Sequence, residues 1–163
     1  MILGITGKIA TGKSCASTFF ENQGFNCIHV DQLGHVLLES VDSPVLPALR
    51  QFLPEIFQNG ELLSRKEIGE FVFRNHNQLK TLNAVMHPFM VDMAVRRIKS
   101  APEKNWILDA ALLFQMDLHK VCDKILLIKA RKESCLQRTT CQPETFNLIW
   151  EIQAHLDAYE DQT

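Results

Sequence analysis

Apolar residues along this chain come first in short unbroken runs, and then in runs that repeat every three or four positions. Met1 to Thr6 is a continuous apolar stretch of strand length, as expected of a strand buried on both faces. From Ser14 to Asn22 the spacing turns helical, with Ala16, Phe19 and Phe20 on one face and Gly24 placed to cap the C-terminal end. Phe25 to Val30 is short and β-rich, predicting a second strand that ends at Asp31.

A long helical stretch follows. Leu33 to Leu38 is helical in spacing, and Leu46, Leu49, Phe52, Leu53, Ile56 and Phe57 recur at three- and four-residue steps after the break at Pro44 and Pro47. Asn59-Gly60 predicts a turn, and Ser64 with Glu67 three residues later predicts a capping box. Asn77 to Lys99 reads as helix, with a kink or a fresh start at Pro88. Trp106 to Asp109 and Lys124 to Ile128 are two further buried strands, with a short apolar element over Ala110–Val121 between them that reads as a helix. A polar, helical tail carries Phe146, Ile149, Trp150 and Ile152.

Strands that alternate with helices predict an α/β fold, a parallel sheet flanked by helices. The expected organisation is one domain over 1–163: a core of 1–32 and 101–130, an inserted helical substrate lobe over about 33–100, and a partial lid over about 131–163. On the sequence alone, ordinary crossover helices are the alternative to a substrate lobe.

The join between the first strand and the first helix carries the chemistry. Gly7 to Ser14 reads G-K-I-A-T-G-K-S and fits the phosphate-binding pattern G-x-x-x-x-G-K-[ST] in full. In that pattern the amides of Gly7, Lys8, Ile9, Ala10, Thr11, Gly12, Lys13, Ser14 and Cys15 surround a triphosphate. Lys13 reaches the β and γ phosphates, and the Ser14 hydroxyl sits on Mg²⁺. Asp109, closing an apolar strand, has the form of the second acidic Mg²⁺ element of such sites. Taken alone it is also an ordinary strand-end aspartate.

Composition narrows the partners. Seventeen basic against nineteen acidic side chains give a net charge of −2, so no general basic field favours nucleic acid. The five cysteines contain no C-x-x-C pair, which suits reduced thiols. With no charged leader or long apolar span ahead of the first strand, the expectation is a soluble, cytoplasmic protein without a membrane partner. Oligomeric state is left open. A GTPase reading of Asp31-Gln32-Leu33-Gly34 as D-x-x-G fails, because no N-K-x-D follows and no room remains for a first switch segment.

Five ordered stretches resemble the dephospho-coenzyme A kinase family. Gly4 through Ser14 is similar to its opening G-[IL]-T-G…G-K-S, and Ile28 through His35 to its I-D-A-D-x-[IL]-A-H. Gly60 through Lys66, Leu82 through Pro88 and Leu108 through Phe114 resemble its G-x-[IL]-x-R-x, L-N-x-x-x-H-P and D-[IV]-P-L-L-F-E elements. The resemblance implies a three-layer P-loop kinase fold and ATP-dependent phosphorylation of the ribose 3′-hydroxyl of dephospho-coenzyme A with Mg²⁺. Asp31 would be the general base and Lys13 the charge stabiliser. Arg138 would join the ATP site. Asp31, His35, Arg65, His87, Pro88, Leu112, Leu113 and Phe114 would line the acceptor site. Read without the family, Arg65 is a solvated helix residue, His87 closes a turn and Leu112 to Phe114 is core.

The departures are specific. His29 stands at the family's first aspartate, Lys8 and Ala10 at glycines, and Gln115 at a glutamate. Of the lid arginines only Arg138 has a counterpart, and no closing strand of the form A-D-[FY]-V-I-D-N occurs before Thr163. Lys8 is expected to supply a substitute cation at the phosphates. A kinase of another nucleoside or small alcohol, or a catalytically weak nucleotide-binding protein, are the alternative functions.

Overall fold

Four parallel strands make the sheet on which the site is built: β1 (Ile2–Gly7), β2 (Asn26–His29), β5 (Trp106–Asp109) and β6 (Lys124–Ile128), in the spatial order β2-β5-β1-β6. The structure, a computed structural model, describes residues 1–162, with side chains over 1–159. Chain contacts divide it into two units, 1–31 with 96–163, and 32–95.

In the first unit the register is informative. Ile5 pairs with Asp109, Asp109 with His29, and Gly7 with Ile128. The carboxyl ends of all four strands therefore lie at one edge of the sheet, where open α/β sheets bind ligands. Leu3, Ile5 and Ile107 form the buried face, and Ala16 and Phe20 of α1 (Lys13–Glu21) pack against them together with Phe25 and Cys27. A nine-residue helix is marginal in isolation. Full burial of Ile5 and Ile107 is worth ~2 kcal/mol apiece, so packing on the sheet, rather than propensity, keeps α1 helical. It ends where the Gly24 N–H donates to the Glu21 carbonyl at 2.9 Å.

Two expectations change in this unit. The second strand stops at His29 and α2 (Val30–Glu39) begins at once, so Asp31 sits in a helix's first turn instead of at a strand end. Between β5 and β6 the apolar residues form a turn and a four-residue 3₁₀ helix, Leu118–Val121. Asp117, in the left-handed region at φ 57°, interrupts any longer helix there. The chain then continues through α6 (Lys132–Arg138), α7 (Pro143–Ile152) and a 3₁₀ helix, Gln153–Gln162.

The second unit is built from α2, α3 (Leu46–Phe52), a two-stranded hairpin of β3 (Phe57–Gln58) and β4 (Glu61–Leu62), α4 (Arg65–Phe73) and most of α5 (His76–Lys99). The Asn59-Gly60 turn joins the hairpin, and the Ser64–Glu67 capping box opens α4 as the spacing predicts. Pro88 neither breaks nor restarts α5, which runs continuously for 24 residues. Proline removes one N–H bond, and burial of Met86 and Met90 on either side holds the flanking turns. Among the described residues no helix is long and apolar enough to cross a membrane, and the five cysteines are free thiols.

Candidate functional site

The turn between β1 and α1 has the backbone that the motif requires. A Cβ on Gly7 would stand 2.4 Å from the Ile128 carbonyl oxygen, so β6 leaves room there for glycine alone. Gly12, at φ 105°, caps α1 without a side chain, and Ala10 is held at φ 59°. Such positive values are costly outside glycine and occur where a loop is shaped for a ligand. Lys13 folds back over this turn, its ammonium donating to the carbonyls of Gly7 at 2.9 Å and Lys8 at 3.2 Å. Burial pushes the Lys13 pKa down, while Asp109, Asp31 and Cys135 pull it up. A desolvated cation folded over a glycine-bearing turn suits an anion.

Two carboxylates bear on that cation, one from the end of β5 and one from the first turn of α2. Asp109 is buried, accepts from Ser17 Oγ at 2.9 Å and lies 3.1 Å from His29 Nδ1. Asp31 is exposed in the first turn of α2 and acts electrostatically on Lys13. Ser14 is exposed in the first turn of α1, so its hydroxyl is free to meet a ligand at the loop. Lys13, Asp31 and Asp109 are thus brought together, each delivered by a different segment of chain.

The C-terminal segment, within the stretch expected as a partial lid, covers this loop through contacts that the sequence reading does not anticipate. Gln153 Oε1 accepts the Ile9 N–H at 2.7 Å. Lys8 donates to Asp157 Oδ2 at 2.6 Å and its ammonium lies 4.9 Å from the centre of the Trp150 ring. Lys8 is therefore paired with a protein carboxylate. Phe114 stacks on Tyr159 with ring centres 3.8 Å apart and planes 2° from parallel, fixing the segment to the β5–β6 connection. Lys8, Thr11, Ile128, Trp150 and Asp157 line a cleft beside the loop. Trp150, Gln153 and Asp157 are spaced three and four apart, a signal that they share one helical face. The surface they meet lies some 140 residues away in sequence.

The other expected site residues divide between the two units. Leu113 and Phe114 are buried in the first unit, Leu113 beside Gly4, leaving Leu112 as the member of that run with accessible surface. Cys15 is exposed beside Ser14. Arg138 ends α6, exposed, and together with Lys13 it acts on the Cys135 thiol, whose pKa burial raises. In the second unit His35 is exposed on α2, and Arg65 opens α4 with its Nε 3.4 Å from Glu39 Oε1. His87 is half-buried within α5, where burial lowers its pKa, and Pro88 beside it is exposed.

Residues 1–158 match the dephospho-CoA kinase family. A dephospho-CoA kinase of Borrelia garinii subsp. bavariensis is 33% identical over 132 residues, covering 80% of this chain and 63% of the relative. One from Lactobacillus acidophilus is 31% identical over 140 residues, covering 84% of this chain and 70% of the relative. The chain thus spans about two thirds of the length of these relatives. A crystal structure of a Thermus thermophilus protein superimposes with a TM-score of 0.81 at 23% identity, covering 100% of this chain and 85% of that one. The dephospho-CoA kinase from Campylobacter jejuni does so with a TM-score of 0.64 at 20% identity, over 99% and 84%. With a phosphate loop at the carboxyl edge of a parallel sheet and a family match over nearly its whole length, this chain belongs to the dephospho-CoA kinase family.

Proposed function

We propose that this chain transfers the γ-phosphoryl group of ATP to the ribose 3′-hydroxyl of dephospho-coenzyme A, giving coenzyme A and ADP. The observation that carries this reading is the convergence of Lys13, Asp31 and Asp109 at the phosphate loop. The amides from Gly7 to Cys15 hold the β and γ phosphates, and Arg138, within the partial lid, joins the ATP site. Lys13 meets the charge that spreads over the γ-phosphoryl oxygens, which is where phosphoryl transfer gains its stabilisation. Asp31 accepts the hydroxyl proton as the alcohol attacks in line.

Ser14 and Asp109 fit a Mg²⁺ ion, a hydroxyl and a carboxylate being the hard oxygen donors it takes. Bound there with the nucleotide, Mg²⁺ supplies further neutralisation of phosphate charge. Until then Ser17 and His29 hold the Asp109 carboxylate in place. For the acceptor the family motifs assign Leu112 in the first unit, with buried Leu113 and Phe114 holding its turn from within, and, in the second unit taken by itself, His35, Arg65, His87 and Pro88. The partners are small molecules in the cytoplasm, without nucleic acid or membrane.

The test is ATP consumption with dephospho-coenzyme A beside adenosine, pantetheine phosphate and no acceptor, in wild type and Asp31→Asn. Transfer to dephospho-coenzyme A is expected, falling ~10²–10⁴-fold in the variant while ATP binding persists. Transfer to adenosine in its place would reassign the acceptor. ATP binding without transfer to any acceptor would favour a nucleotide-binding protein, a second reading that the pairing of Ile9 and Lys8 with the C-terminal segment supports.

A further inference from the structure

We propose that Glu21, Cys27 and His29 form a binding site for one divalent cation of the zinc class, with water completing its coordination, separate from the Mg²⁺ at the phosphates. The ligand atoms of these three side chains lie within 4.8 Å of one another. Cys27 and His29 are two residues apart on β2 and so point to one face of the sheet. That is the face α1 covers, and Glu21 is the last residue of α1.

For the sulfur–nitrogen pair the spacing is close to that around a metal. Cys27 Sγ lies 3.8 Å from His29 Nδ1. A tetrahedral ion with Zn–S of about 2.3 Å and Zn–N of about 2.0 Å sets sulfur and nitrogen roughly 3.6 Å apart. Buried Asp109, itself held by Ser17, lies 3.1 Å from the same Nδ1, so without metal that nitrogen shares a proton with the carboxylate, and an ion must displace it on binding, as ions do at histidine ligands. Thiolate and imidazole ligands select Zn²⁺ or Co²⁺ over Mg²⁺. The three ligands are half-buried or exposed, so an ion can enter from solvent and keep a water.

Titration with Co²⁺ alone tests this, because a thiolate on four-coordinate Co²⁺ gives a near-ultraviolet charge-transfer absorption together with visible bands. Wild type is expected to develop both with one Co²⁺ per chain, to lose them to equimolar Zn²⁺, and to keep them in excess Mg²⁺. Cys27→Ser should abolish the charge-transfer absorption, and Glu21→Gln should weaken Co²⁺ binding by at least the ~10-fold that loss of an outer-shell partner costs. Should Cys27→Ser fail to fold, His29→Asn decides by the same spectrum and stoichiometry. No charge-transfer absorption in wild type with Co²⁺ in excess, or the same absorption in Cys27→Ser or His29→Asn, would overturn the proposal. The measurement involves no nucleotide, so its outcome is independent of the phosphotransfer reading.

Discussion

The phosphate loop and the segment that covers it arise from opposite kinds of sequence information. Residues 7–14 owe their shape to glycine placement and to a strand that ends where a helix begins. Trp150, Gln153 and Asp157 owe theirs to partners near the other end of the chain. A loop specified locally keeps its amides available to any phosphate. A cover specified at long range can hold those amides or release them. The cover offers the loop a carbonyl oxygen at Ile9 and a carboxylate at Lys8, an oxygen and a negative charge, which a phosphate group also offers.

The comparison breaks most visibly if the cover is not part of the cooperative structure. Phe146 of α7 is fully buried and Leu156 nearly so. Phe146→Ala should therefore cost ~3–5 kcal/mol in urea unfolding of the whole chain. A much smaller loss, or a separate early transition, would mean that the segment is appended to the sheet and does not share its core.

The loop itself is tested at Lys13. Its ammonium is desolvated and bonded only to carbonyls in the contacts described, so Lys13→Ala removes the cation that phosphates would meet. Phosphoryl transfer should fall ~10²–10³-fold, the loss expected for one preorganised charge-stabilising group. Thermal stability should hardly change, because the variant also removes a buried charge. Transfer within tenfold of wild type would show that the loop does not carry the chemistry.

How much of this was legible follows from range. Gly7, Gly12, Lys13 and Ser14 were readable because their spacing alone dictates a turn, and the Ser64–Glu67 box because both of its bonds close within one helical turn. At Pro88 the fresh start did not occur, since proline marks a helix boundary only where packing does not hold the helix through it. The apolar run after Asp109 looked like a helix because burial of Leu113, Phe114, Met116 and Leu118 gives a similar hydrophobic density in an irregular turn. Asp31 was expected at the end of β2, but the immediate start of α2 gives it a helical backbone. The pairing of Ile9 with Gln153 had no local signature at all.

A subtler comparison pits the cover against the ligand. If Gln153 must leave the Ile9 N–H before a phosphate oxygen can take it, then Gln153→Ala removes a competitor. One neutral hydrogen bond is worth ~0.5–1.5 kcal/mol, so ATP should bind about 2- to 10-fold more tightly, as read by calorimetry. Weaker ATP binding would instead make Gln153 part of the nucleotide site, and the cover a lid that helps to hold the ligand.

The smallest effect expected is at the Lys8–Asp157 pair. Its 2.6 Å contact joins a lysine side chain only 11% exposed to an aspartate 60% exposed. Water screens such a pair on the aspartate side, which limits it to ~1 kcal/mol or less. Asp157→Asn leaves the cover's shape intact and frees the Lys8 charge, held beside Trp150, to meet phosphate. ATP affinity should rise by no more than ~5-fold at low salt, and the gain should fade as ionic strength approaches ~1 M, where screening acts over about 3 Å. The double variant Lys8→Ala/Asp157→Asn then separates two roles for Lys8. If Lys8 serves the phosphates once released, the double variant binds ATP more weakly than Asp157→Asn alone; if it serves only to hold the cover, the two bind alike. Equal affinity across wild type and both variants would show that the ion pair takes no part in admitting the nucleotide, leaving the Gln153–Ile9 bond as the one contact through which the cover and the loop compete.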